Sequence, residues 1–162
     1  MLLDILSPCL ISKTTFTDSG ITVNVKPKEG ESVKFFVIDE KSNPNSNLRE
    51  TLSIQGRICD LIVYYVKEED PSAAFCSVEL KGKRIDDALE QVVETFETIK
   101  GCTKNAGQIK WKAYILIGIA SPIKIDPTTK RILKAKFGDQ NIDWRITKKN
   151  DRADLGAFLR GD

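Results

Sequence analysis

Three side chains in the middle of this chain have the types and spacing to act on a charged substrate. Asp60 stands near the start of the apolar run "CDLIVYYV", and Glu79 and Lys81 stand at the end of "AAFCSVELKGK". Only the short polar link "KEEDPS" separates the two runs, which predicts an antiparallel hairpin turning near Asp70 and sets Asp60 opposite residues 79–81. Two carboxylates facing each other across a ladder repel unless a cation lies between them. Such a pair suits Mg²⁺, which keeps several waters as its remaining ligands. A bound ion would bring the pKa of one water toward neutrality and stabilise charge on a phosphodiester. Lys81 shares a strand face with Glu79, so it can hold that water or stabilise the charged oxygen of the transition state. The plainer alternative, an exposed Glu79–Lys81 strand pair, is worth under about 1 kcal/mol. It sits poorly with a position directly after the apolar residues 74–78.

Composition narrows the chemistry further. The chain has 162 residues and no histidine, which excludes Ser-His-Asp and Cys-His nucleophile systems. Its four cysteines (Cys9, Cys59, Cys76 and Cys102) have no CxxC spacing, so buried free thiols are expected rather than a zinc site. Catalysis must then rest on carboxylates, lysines or a metal. Net charge is +2 but unevenly spread: residues 1–109 carry 13 basic and 17 acidic side chains, residues 110–162 carry 12 and 6. A basic C-terminal third is the footprint of a phosphate-backbone partner or, more plainly, a solvated lysine-rich surface. The longest apolar stretch, "AYILIGIASPI", is too short to span a bilayer as a helix. "MLLDILSPCLISK" lacks a basic n-region, so no signal peptide and no membrane partner are expected, and the cytoplasm is the expected location.

The elements that must position the three residues are legible as changes of period. "ITVNVK" and "VKFFVI" read as a hairpin or two neighbouring strands, followed by a loop at "DEKSNPNSN". "LRETLSIQGR" allows one helical turn or an irregular approach to the next strand. From Arg84 the period becomes helical, with Ile85, Ala88, Leu89, Val92, Val93, Phe96 and Ile99 on one stripe. Asp86, Asp87, Glu90, Glu94 and Glu97 oppose that stripe, and Gly101 sits where a glycine stop belongs. "WKAYILIGIA" predicts a third buried strand, "KRILKAKFG" a short basic helix ended by Gly138, "IDWRITKK" a last strand and "RADLGAFLRG" a final helical turn. The sum is one α/β domain over residues 1–162, a central mixed β-sheet flanked by helices. N-terminal strands and a basic C-terminal extension are expected to pack on its core.

In "ICDLIVYY", then "VELKGK" with its E-x-K, then a helix beginning within a few residues, the chain resembles the PD-(D/E)XK nuclease superfamily, the restriction-endonuclease-like fold. It is similar to small stand-alone members with "CD…ELKG…ALEQ", over roughly residues 33–120. The resemblance implies Asp60, Glu79 and Lys81 as the metal-binding and catalytic set, Gln91 as an auxiliary residue, and Mg²⁺ (or Mn²⁺) as the cofactor of phosphodiester hydrolysis. DNA is the implied substrate, and defence against foreign DNA or DNA repair the implied setting. Cys59 stands where the family often has proline. The acidic residue that many members add upstream is open between Glu50, favoured by its place in "LRET", and Glu40. One such site cuts one strand, so double-strand cleavage calls for a homodimer or successive nicks, and structure-directed cutting or cutting directed by a partner protein is expected rather than sequence-specific recognition. The rival readings are an inactive nuclease-fold module that binds nucleic acid or protein, and an RNA-directed nuclease.

Weaker expectations attach to the basic residues. Lys83 and Arg84 precede a helix whose positive end repels them, so phosphate contact or plain solvation explains them equally. Arg57 is balanced in the same way. Lys130, Arg131, Lys134 and Lys136 on the basic helix are candidate DNA contacts, with Lys130 and Lys134 on one face. Gln91 is either an auxiliary site residue or a boundary residue beside the stripe. Trp111 and Trp144 read as core or boundary aromatics rather than base-stacking groups.

Overall fold

A computed structural model describes residues 2–81, 85–103, 109–118, 126–138, 142–148 and 154–162. The chain opens with a short helix α1 (Leu2–Leu6) and a 3₁₀ turn (Ser7–Cys9). Strands β1 (Leu10–Ile11), β2 (Thr15–Asp18), β3 (Ile21–Asn24) and β4 (Glu31–Val37) follow. A single helical turn, α2 (Leu48–Thr51), leads by an irregular segment to β5 (Leu61–Lys67) and the long β6 (Asp70–Lys81). Helix α3 (Ile85–Gly101), β7 (Ile109–Ile117), α4 (Pro127–Leu133), β8 (Asp143–Lys148) and α5 (Leu155–Arg160) complete the chain.

Six strands form one mixed sheet in the order β1-β4-β5-β6-β7-β8. The first three pairings are antiparallel, and β6–β7 and β7–β8 are parallel. Parallel neighbours need a crossover, and α3 and α4 lie in the two crossovers. Both faces of the sheet are covered, which explains why β5 reads as a continuous apolar run. One face carries Phe36, Ile62, Phe75 and Trp111 packed with Ala88, Val92, Phe96 and Ile99 of α3. The other carries Phe35, Val63, Cys76, Val78 and Leu80 under the β2–β3 hairpin and α5. Cys9, Cys59 and Cys76 are buried free thiols, and Cys102 is partly exposed. Trp111 is a core aromatic against Phe75 and Phe96, and Trp144 packs at the core's edge.

Three expectations need correction. "ITVNVK" and "VKFFVI" are not a hairpin: β3 pairs with β2 in a separate two-stranded sheet, whereas β4 pairs with β1 and β5. Strand β2 escaped notice because "TFTD" is four residues with one buried side chain. Gly101 is the last residue of α3 and does not take the left-handed conformation; the helix that ends in that way is α5, at Gly161 (φ 84°). The segment after Leu133 continues as a π-helical turn, Lys134–Gly138, so the basic helix changes pitch within the predicted span.

Helix α5 is fastened by one ion pair. Arg160 donates from Nε to Glu31 Oε1 (2.8 Å) and from Nη2 to Oε2 (2.9 Å), and Tyr65 adds its hydroxyl to Oε1 (3.0 Å). The Glu31 side chain is 3% exposed, and hydrogen bonding to Arg160 holds its pKa down at about 2. A depressed carboxylate stabilises the fold above its ordinary pKa of about 4.5 and stops doing so as pH falls through about 2. Arg160→Ala leaves that carboxylate buried without its partner, and urea unfolding at pH 7 should register a loss of about 3 kcal/mol. A loss under about 0.5 kcal/mol would contradict the fastening role.

Candidate functional site

The site is built by strand register. Leu61 pairs with Val78, and one further step along the same antiparallel register sets Asp60 opposite Glu79. β6 alternates sides, so Phe75, Ser77, Glu79 and Lys81 face α3 while Ala74, Cys76, Val78 and Leu80 face the hairpin. The carboxylates are fixed by backbone amides: Asp60 N–H donates to Glu79 Oε2 (3.1 Å), and Leu80 N–H donates to Asp60 Oδ2 (2.7 Å). Lys81 Nζ donates to Glu79 Oε1 (3.1 Å) and to Gln91 Oε1. The other end of the Gln91 amide donates to the carbonyl of Ile58 (2.9 Å). Asp60, Glu79, Lys81 and Gln91 therefore form one connected network. Gln91 lies in this network and lines the same cleft.

These side chains line a cleft of about 500 Å³ at the end of the sheet where β6 finishes and β5 begins. Asp18 and Ser19 at the β2–β3 hairpin tip, Asp39, Lys41 and Ser42 after β4, and Asp87 of α3 also reach it. Among the described residues, five carboxyl groups face two amines in that lining. Burial pushes the Glu79 carboxyl up to about 8, with the charge of Asp60 adding to the effect and Lys81 opposing it. Burial likewise lifts Asp60 to about 6; the Leu80 amide opposes this, and the charges of Asp18 and Asp39 reinforce it. Two carboxyls at the floor of the cleft are thus held short of full ionisation chiefly by burial, with neighbouring carboxylates adding to the effect.

The remaining candidates lie elsewhere. Glu50 is exposed on α2 and lines a different groove with Glu40, Asn45 and Ser53, so the expectation that it completes the set with Asp60 and Glu79 is not met. The short α2 turn carries its side chain away from the strand ends. Glu40 is engaged by Arg49 (2.6 Å) in that same groove. Arg57 pairs with Asp87 (3.1 Å) and Glu90 (3.7 Å), which accounts for it without a phosphate. Lys130, Arg131 and Lys134 are exposed on α4 and the turn after it, and none lines the cleft. Lys83, Arg84 and the side chain of Lys136 lie outside the described residues.

Reading by sequence missed Asp18 and Asp39, because the order of β4 in the sheet and the placement of the hairpin are tertiary facts. Thr95 was missed too, although it left a signal: it interrupts the apolar stripe between Val92 and Phe96 and sits four residues after Gln91. Among the described residues, no three Asp, Glu or Cys side chains converge closely enough to hold a metal ion. Mg²⁺ is nonetheless commonly held by one or two carboxylates, with water completing the shell. The pair of Asp60 and Glu79, hard oxygen donors short of positive charge, fits that chemistry. No family model matches the chain, and no curated protein matches it in sequence. What fold and site define is a class: an α/β domain with a six-stranded mixed sheet and a carboxylate–lysine–glutamine network at one end of it.

The raised carboxyls give a signed pH dependence. Both folded-state values lie above the ordinary ones (3.8 and 4.5), so their stabilising contribution is complete below about pH 4 and is lost as pH rises through about 6 and about 8. In EDTA, urea midpoints should fall between pH 5 and pH 8.5, and Glu79→Gln should flatten that slope. A wild-type midpoint unchanged over this range would contradict the burial of two unneutralised carboxyls.

Proposed function

We propose that the protein is a divalent-metal-dependent nuclease of the PD-(D/E)XK, restriction-endonuclease-like class that hydrolyses phosphodiester bonds in DNA. The observation that carries this reading is the convergence of Asp60, Glu79 and Lys81, with Gln91, in one hydrogen-bonded network at the ends of two adjacent central strands. The order antiparallel hairpin, helix, parallel strand agrees with the core that the resemblance implies.

Asp60 and Glu79 are the residues that would hold Mg²⁺ or Mn²⁺. The ion, when bound, supplies a water of lowered pKa and neutralises charge on the phosphate. Lys81 is positioned by two acceptors, Glu79 and Gln91, so its ammonium is directed rather than free to rotate. From that place it orients the attacking water and stabilises negative charge on the phosphoryl oxygen. Gln91 acts as a spacer, since its carbonyl faces the ammonium and its amide is anchored on Ile58. An acidic cleft repels a polyanion, so DNA should bind weakly in EDTA and more tightly with Mg²⁺ present.

Supercoiled plasmid incubated with Mg²⁺ should be nicked, and EDTA should stop the reaction. Asp60→Asn and Lys81→Ala should each lower the rate by ~100-fold or more. Parallel single-stranded, branched and RNA substrates define the preferred polymer. Cleavage that survives both substitutions, or binding of DNA with no cleavage of any substrate, would contradict the proposal.

A further inference from the structure

The segment that carries Asp60 has no strand partner of its own. Residues 54–60 run as irregular backbone between α2 and β5, and buried backbone polar groups in such a segment need partners from outside it. One turn of α3 supplies them in succession. Glu94 Oε2 accepts from Arg57 N–H, Gln91 Nε2 donates to the carbonyl of Ile58 (2.9 Å), and Thr95 Oγ1 accepts from Cys59 N–H (2.8 Å). The Thr95 hydroxyl donates its own proton to the Gln91 carbonyl (2.7 Å), so it ties the segment to the helix backbone with both its hydrogen-bonding functions. Thr95 is 1% exposed in a helix face otherwise filled by Val92, Val93 and Phe96. Gly56 borders the contact, and a Cβ there would push the Glu94 carboxylate out of its place.

We propose that Gln91, Glu94 and Thr95 form a clamp on residues 56–59 that sets the position of the Asp60 carboxylate, with Thr95 as its buried pivot and a positioning residue for the site. Three consecutive residues are fixed by three side chains of one helical turn, and the next residue in the chain is Asp60. Gln91 also contacts Lys81, so the same turn fixes the ammonium and the carboxylate relative to each other. Deleting the Thr95 hydroxyl strands a buried amide at Cys59 and lets the segment shift along β6. The inference rests on the reading of Asp60 as a metal-holding carboxylate, but its geometry is measurable without any metal.

Leu80 N–H donates to Asp60 Oδ2 (2.7 Å), which makes the Leu80 amide a reporter of that carboxylate's position. In metal-free protein, Thr95→Val should move the Leu80 amide resonance and speed its hydrogen exchange about tenfold or more. The same variant should weaken Mn²⁺ binding, read by calorimetry, ~10-fold, the scale seen when residues that orient metal ligands are removed. Thr95→Ser keeps the hydroxyl and should restore both readouts. Should Thr95→Val fail to fold, Gly56→Ala tests the same clamp from the exposed side and should displace the same resonance. A Leu80 amide unchanged in resonance and exchange, with only a lower unfolding midpoint, would overturn the proposal. Failure of the wild type to bind Mn²⁺ or to cut nucleic acid would instead count against the nuclease reading, while the Leu80 measurement still decides the clamp.

Discussion

Two carboxyls stand side by side at the end of a buried sheet, and among the described residues a single ammonium, that of Lys81, is bonded to them. That imbalance organises the site. Asp60 and Glu79 are 5% and 1% exposed; Asp60 spends an oxygen on the Leu80 amide of β6, and Glu79 spends one on the Asp60 amide just before β5. The register of β5 on β6 brings the two together, and the pair is costly to ionise because burial removes water. A buried acidic pair that serves only stability is a poor choice, since well-packed apolar groups would do as well or better. On the proposed reading, a cation supplies the other half of the pair.

The rest of the fold serves that placement. Helix α3 packs its apolar stripe on one sheet face and turns Gln91, Glu94 and Thr95 toward the irregular segment before β5. The opposite face is covered by the β2–β3 hairpin, whose tip brings Asp18 to the cleft. The Ile38 amide donates to the carbonyl of Asp60 (3.1 Å) where β4 ends, so Asp39 arrives at the same sheet end. Each neighbour that fixes the site also adds negative charge or a backbone hydrogen bond to it, which ties folding and electrostatics together at one point.

Much of this was legible in the residues. An apolar run with an Asp near its start, a six-residue link and a second run ending in E-x-K gave the hairpin and its register, because side-chain alternation leaves little freedom once a turn is placed. The 3.6-residue period gave α3 with its buried face, since amphipathic stripes are local. The pairing of β4 with β5, the short β2 and the cleft's outer acids were not legible: they depend on which distant strands meet, which no local period encodes. Glu50 was misplaced for a related reason. "LRET" announced a helical turn correctly, but the direction in which a one-turn helix points its carboxylate is set by the loops on either side.

The proposed function stands on Asp60 and Glu79 holding one ion together. Crystals soaked in Mn²⁺ and examined by anomalous scattering should show a peak about 2.1 Å from a carboxylate oxygen of both Asp60 and Glu79. An ion bound elsewhere with none between these two residues, or no ordered ion at millimolar Mn²⁺, would contradict it.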